Sequence, residues 1–219
     1  MSIIELRERL KTLAEPRFQA FASSLIPGVQ NLLGVRLPLL RRLAIQIART
    51  HRESIVYDKS EPQSMEETMV RGMLIGYAPA GVTVQTRLHE LQQFVPLITN
   101  WSICDSCCAT FKFAKENRDE VWSFLQPYLY SAAEFECRFA IVMILNHFIQ
   151  EESWSRTFMQ ELPHTLCLGY YAEMAAAWCL CEIHARYPHL TTSLLTESSP
   201  LRADIRAKAL RKIKESRKH

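Results

Sequence analysis

Apolar residues recur at spacings of three and four along almost the whole chain, the signature of helices with one buried side. Ile3, Leu6, Leu10 and Leu13 mark the first, over 2–13. Glu15-Pro16 opens a second through Phe18, Phe21 and Leu25, and Ile26-Pro27-Gly28 ends it. Gly34 to Pro38 reads as a loop whose proline suits the first turn of the next helix, 37–51. That helix turns Leu40, Leu43, Ala44 and Ile47 inward and its arginines outward. A polar connector over 58–62 follows, and Ser64 with Glu67 has the form of a capping box that starts a helix to Tyr77. After the turn at Pro79-Ala80-Gly81 comes a helix over 84–94, which must break near Pro96. Thr99 or Asn100 can cap a new helix beginning at Trp101 and ending near 115–117. Further helices are expected over 119–128, 131–149, 153–162, 170–186, 187–195 and 199–217. No segment alternates strictly between apolar and polar, so the fold class is all-α.

The helices are similar in length and come in pairs. Three segments begin alike, with an acid, then small residues, then an apolar stripe: Glu136-Cys137-Arg138, Glu173-Met174-Ala175 and Asp204-Ile205-Arg206. Their spacing falls in the range of helical-pair repeats, which predicts stacked antiparallel pairs of HEAT-like or ARM-type repeats in a curved solenoid with a concave face. No low-complexity linker interrupts the pattern, so a single domain over 1–219 is expected.

Composition agrees with that picture. The 219 residues are 48% hydrophobic and 22% charged, with only 6 glycines. No apolar run approaches the ~18 residues of a membrane span, and the N-terminus lacks the apolar core of a signal peptide. A soluble, cytoplasmic protein is the expectation. Seven cysteines, an odd number placed inside helix-like segments, read as reduced and buried thiols. Cys104 and Cys107 form a C-x-x-C, but without a second pair a zinc site is the weaker reading.

The net charge of +3 is unevenly spread. From Leu201 to the end, eight basic residues face two acids, and Arg36, Arg41, Arg42, Arg49 and Arg52 form a second cluster. Two basic segments far apart in sequence could line one groove for a polyanion, or could be solvated helix faces.

The chemistry centres on Asn100-Trp101-Ser102-Ile103-Cys104-Asp105. Four residues apart on a helix, Trp101 and Asp105 share a face near its N-terminus, where the dipole favours a carboxylate. A carboxylate beside an aromatic wall can stabilise a cationic transition state; the same pair could equally be a core indole and a capping acid. The histidines show no metal-binding spacing, and there is no glycine-rich phosphate loop and no G-x-S-x-G.

An ordered set of pieces resembles the AlkD family of DNA alkylation repair proteins, the HEAT-like-repeat glycosylases. The pieces are 34–44 (Gly34-Val35-Arg36-Leu37-Pro38 onward), Glu66-Glu67 through Gly72 to Gly76-Tyr77, 100–106 around Trp101 and Asp105, 135–142 around Arg138, 170–178 ending in Trp178, and 208–216. The resemblance implies hydrolysis of the N-glycosidic bond of cationic N3- or N7-alkylpurines in double-stranded DNA. Trp101, Asp105, Arg138 and Trp178 match the family's Trp, Asp, Arg and second Trp. By that resemblance Asp105 would stabilise the oxocarbenium-like sugar and orient water, Trp101 and Trp178 would pack on deoxyribose, and Arg138 would hold a phosphate.

The basic residues Arg41, Arg42, Arg206, Lys208, Arg211 and Lys212 would add affinity for duplex through counterion release. No metal and no cofactor is required, no membrane is involved, and a monomer suffices. Read as residues alone, Arg138 could instead pair with Glu134 one turn earlier, and Trp178 could be a large residue packed among alanines. The position one turn after the second tryptophan, where family members often carry an arginine, is Cys181 here, followed by Glu182. With acids at 134, 136 and 173 it supports the alternative of an inactive nucleic-acid- or protein-binding scaffold.

Overall fold

The computed structural model describes residues 1–216, which are helical with no strand among them. The chain divides into two compact units, Met1–Phe113 and a second beginning at Ala114. The first holds α1 (Ile3–Leu13), α2 (Pro16–Leu25), α3 (Leu37–Thr50), α4 (Arg52–Val56), α5 (Met65–Gly76), α6 (Val84–Phe94) and α7 (Trp101–Cys108). The second holds α8 (Arg118–Leu129), α9 (Glu134–His147), α10 (Glu152–Glu161), α11 (Tyr170–Arg186), α12 (Pro188–Thr191) and α13 (Ala203–Ser216). The fold is all-α and of the helical-repeat kind that the periodicity predicts.

In the first unit α3, α5 and α7 pack side by side in series, with α6 against α5. α5 is the centre, and every residue from Glu66 to Ile75 is buried. α5 is covered on several sides, and its buried charges, Glu66, Glu67 and Arg71, are met by hydrogen bonds and ion pairs. The second unit repeats the arrangement with α9, α11 and α13 in series. These three carry the segments beginning Glu136, Glu173 and Asp204, so the sequence repeat is also a packing repeat. The alanines at 172, 175, 176 and 177 let α11 approach its neighbours closely and are all fully buried.

Local chemistry sets most helix starts. Ser2 and Glu5 form a complete capping box on α1. On α5 only half of the expected box forms. Ser64 Oγ accepts the Glu67 N–H at 3.1 Å, but the Glu67 carboxylate turns to Arg7 (2.9 Å), Arg71 (2.6 Å) and the Gln63 N–H (3.0 Å). Asn100 caps α7, its Oδ1 accepting the Ser102 and Ile103 N–H groups at 3.0 and 3.1 Å.

Several boundaries differ from the expectation. α9 begins at Glu134 rather than Ser131, whose Oγ accepts the Ala133 N–H in a turn. α4 was not anticipated; the chain breaks at His51 and starts again because Arg52 turns inward, donating to the Leu74 carbonyl at 3.0 Å and pairing with Glu90. Arg52 is therefore a buried anchor rather than part of a basic face. α7 stops at Cys108 because Thr110 tightens the chain, its N–H and hydroxyl both donating to the Cys107 carbonyl, and seats itself against Gly76. α12 ends at Thr191, whose buried hydroxyl meets His184 Nδ1 at 2.7 Å. α13 begins at Ala203 rather than Ser199, since Ser199 Oγ first accepts the Leu201 N–H in a turn. Its expected last residue, Arg217, and Lys218 of the basic tail lie outside the described residues.

Candidate nucleic-acid interface

In the first unit Trp101 is the first residue of α7 and Asp105 lies one turn on; both are half-buried. Ile103, Cys104, Cys107 and Cys108 face the core on the other side. The helix thus divides into a thiol-lined inner face and an outer face carrying Trp101, Ser102, Asp105 and Ser106. Asp105 is not sealed in the interior. Trp101, Ser102 and Ser106 border a shallow apolar cavity of about 160 Å³ whose far wall is α2, with Phe18, Phe21 and Leu25. α2 buries none of its own residues completely, and Phe21 and Leu25 remain largely exposed.

The basic residues of α3 behave differently from one another. Arg42 is exposed. Arg41 is half-buried, and its Nε is a buried atom without a hydrogen-bond partner. Burial and the neighbouring Cys104 drive the Cys107 thiol well above its ordinary range, and the Arg41 charge partly offsets this. Arg36 is held by Glu15 at 3.0 Å and lies over the Phe18 ring.

In the second unit Arg138 is on the first turns of α9 and only 6% exposed. Its Nη1 donates to the Tyr171 carbonyl of α11 at 2.7 Å. Glu134, one turn earlier, accepts the Tyr171 N–H at 2.5 Å, so α9 grips the start of α11 through both backbone groups of one residue. Gly169, with φ +91°, is what allows this: a Cβ there would strike the Glu134 carboxylate. Tyr171 also stacks on Phe135, ring centroids 5.5 Å apart. The Glu134 carboxylate thus sits at a helix N-terminus, a setting that suits an anion.

Trp178 lies two turns along α11 and is 37% exposed, the wettest position among its alanine neighbours. It is a surface indole rather than a core one. Cys181 is buried, with its sulfur 3.9 Å from Ser216 Oγ, and Glu182 pairs with Arg186.

On α13, Lys208 lies 2.7 Å from Glu173, which also holds Arg202 at 2.7 Å. Arg211 pairs with Glu215 at 2.9 Å and is mostly exposed. Arg206 donates to the Leu201 carbonyl at 3.4 Å, and Lys212 is half-buried. Sequence reasoning counted Arg202 only as one of the basic residues after Leu201. No motif marks it; its role appears only when the segment before α11 and the start of α13 come together, where its Nη1 caps the Leu166 and Cys167 carbonyls.

All seven cysteines are buried and free of disulfides, as the composition implied. Among the described residues no group of three or more His, Cys, Asp or Glu is placed to hold a metal ion, and no helix is long and apolar enough to cross a membrane.

No curated protein and no solved structure matches the chain. A family model does, over residues 6–167, and it describes a DNA alkylation repair enzyme. The matched span includes Trp101, Asp105 and Arg138 and ends before Trp178 and the basic α13. Because that span takes in well over half of the sequence, the chain belongs to the DNA alkylation repair enzyme family.

Proposed function

We propose that this family member is a DNA glycosylase that hydrolyses the N-glycosidic bond of cationic N3- or N7-alkylpurines in duplex DNA. The observation that carries the reading is the outer face of α7: a half-buried carboxylate, Asp105, one turn from a half-buried indole, Trp101, on a helix capped by Asn100.

An alkylated, positively charged purine is already a good leaving group and needs no strong general acid. What the enzyme must supply is stabilisation of positive charge on the sugar as the bond breaks. A carboxylate held rigidly beside a low-polarity aromatic wall does this electrostatically, without reorganisation at the moment of reaction. The face of an indole adds a smaller attraction for the same cation. In this reading Arg138, its guanidinium oriented by Tyr171, holds a backbone phosphate, and the exposed Trp178 packs on deoxyribose. Arg42, Arg206, Arg211 and Lys212 contribute charge toward duplex, and the half-buried Arg41 contributes less.

The test is release of base from duplex containing N7-methylguanine by wild-type protein and by Asp105→Asn. Removing one preorganised charged group of this kind costs roughly 100-fold or more in rate. Equal release by both proteins would remove Asp105 from the mechanism.

A second reading is an inactive nucleic-acid- or protein-binding scaffold. It is favoured by the Lys208–Glu173 pair and by Cys181, buried where related chains often carry an arginine. No release by wild type, together with no salt-dependent binding to duplex, would overturn the glycosylase reading and favour a protein-binding scaffold.

A further inference from the structure

Six of the seven cysteines sit on helices; Cys167 does not. It lies in the irregular segment between a single 3-10 turn at Leu162–His164 and α11. Its sulfur is 3.4 Å from that of Cys137 on α9, thirty residues earlier, and both side chains are fully buried. The Thr165 hydroxyl is 3.2 Å from the Cys167 sulfur. The backbone is unusual here as well: Cys167 has φ +41° and Gly169 has φ +91°. A side chain other than glycine is disfavoured in that region, so Cys167 is held in place against its own preference.

Cys167 is also shallow. Leu166 and Leu168 on either side are nearly half exposed. The segment is tied down mainly by Arg202, which donates to the Leu166 and Cys167 carbonyls at 2.8 and 2.9 Å. Opening it exposes Cys167 without unfolding a helix, whereas Cys104, Cys107, Cys108 and Cys179 become accessible only when α7 or α11 comes apart.

We propose that Cys137 and Cys167 form a dithiol site that a hydroperoxide oxidises to a disulfide, fastening the segment before α11 to α9. The separation of the sulfurs must shrink from 3.4 Å to roughly 2 Å, a shift within reach of an irregular segment. Cys167, on the irregular segment that can open, is the attacking sulfur. Its contact with the Cys137 sulfur, the Thr165 hydroxyl and the nearby Arg202 charge hold it below the usual thiol range against its burial, while contact with Cys167 and burial push Cys137 up. The Cys167 thiolate attacks the terminal oxygen of the hydroperoxide. An S–O bond forms, the O–O bond breaks, and the alcohol or water leaves with one proton. Cys137 then attacks the sulfenic sulfur and gives up its proton, and the S–O bond breaks to release water. Two thiols and one hydrogen peroxide thus yield one disulfide and two waters, and an external dithiol reverses the reaction.

The location makes the bond consequential. Cys137 adjoins Arg138, and Cys167 is two residues before the Gly169–Tyr171 segment that Arg138 and Glu134 grip. Formation of the disulfide is independent of the glycosylase reading; an effect on base release rests on that reading.

The test treats the full chain with hydrogen peroxide, blocks remaining thiols, and maps cross-linked peptides by mass spectrometry. The expected result is a Cys137–Cys167 peptide that appears at least roughly tenfold faster than any other cysteine product and disappears with dithiothreitol. In Cys137→Ser, Cys167 should accumulate as sulfenic acid trapped by a dimedone probe; in Cys167→Ser, Cys137 should stay a thiol. Circular dichroism establishes that each variant is folded, and the wild-type map alone decides the matter if either is not. Absence of the linked peptide under conditions that oxidise a free small thiol, or faster oxidation at any of the other five cysteines, Cys181 included, overturns the proposal. Base release by the reduced protein, measured separately, tests the glycosylase reading.

Discussion

Lys208 on α13 lies 2.7 Å from the Glu173 carboxylate on α11, so one of the cations counted toward a DNA-binding surface is already paired within the protein. Glu173 holds Arg202 as well, and its pKa is lowered, first by the hydrogen bond from Lys208. Replacing it with Gln should release charge toward solvent. Each additional phosphate contact steepens the dependence of log affinity on log salt by about 0.9. Glu173→Gln should therefore bind duplex more tightly at low salt, with a slope steeper by about one, measured by fluorescence anisotropy across a salt series. An unchanged slope would mean that α13 does not meet the duplex.

Trp178 is partly exposed on α11 beside the buried alanines 175, 176 and 177. Its truncation should then cost function and little stability. Trp178→Ala is expected to lower the urea midpoint by an amount equivalent to under ~1 kcal/mol, against roughly 3–5 kcal/mol for Phe139→Ala in the fully buried core of α9. A core-sized loss for Trp178→Ala would assign the indole to packing alone.

Glu66 is buried on α5 and accepts the Leu33 (3.0 Å), Gly34 (2.7 Å) and Val35 (3.1 Å) N–H groups in the loop before α3. An amide in its place keeps one acceptor oxygen and points donors at donors. Glu66→Gln should destabilise by roughly 2–4 kcal/mol in urea unfolding. The loop's remaining ties are to its carbonyls, Asn31, Leu32 and Gly34 accepting from the Met65 N–H, Gln19 Nε2 and the Glu15 N–H, so limited proteolysis should shift toward residues 26–35.

Glu67 is subject to burial, which raises its pKa, but hydrogen bonds from Arg7, the Gln63 N–H and Arg71 outweigh this and hold it below the ordinary value of 4.5. A carboxyl with a lower pKa folded than unfolded contributes stability that is complete above the unfolded value and is lost as pH falls through the folded one. Thermal midpoints of wild type should therefore drop on acidification below about 4.5, and those of Glu67→Gln, already lower at neutral pH, should fall less steeply. Parallel curves for the two proteins would assign the acid sensitivity to other groups.

Gly76 closes α5 against Thr110, and a Cβ at this position would overlap the Thr110 hydroxyl and backbone. Gly76→Ala should destabilise by about 1–3 kcal/mol through overpacking despite the better helix propensity of alanine. Thr110→Gly in the same chain should recover part of that loss, as a double-mutant cycle in urea would measure.

How far the sequence could be read depended on distance along the chain. Asn100 as cap and Trp101 as the first residue of α7 were legible because capping acts within three residues. The end of α7 was not, since Thr110 stops it by docking against Gly76, thirty-four positions earlier. The arginines of the second basic cluster looked equivalent by spacing, yet Arg42 is exposed, Arg41 is turned partly inward and Arg52 is buried with Glu90. Hydrophobic periodicity states which face of a helix is apolar, but not which long cationic side chain will fold back across it.

By itself, then, the sequence determined the helical class, the repeat that becomes α9, α11 and α13, and the shared face of Trp101 and Asp105, all properties of residues within a turn or a repeat of one another. Only the tertiary structure decided that Glu134 serves the N-terminus of α11, that Glu173 captures Lys208 and Arg202, and that Cys137 meets Cys167. Those pairings join residues about thirty apart, and packing of neighbouring helices, rather than any local pattern, sets which side chains arrive within reach.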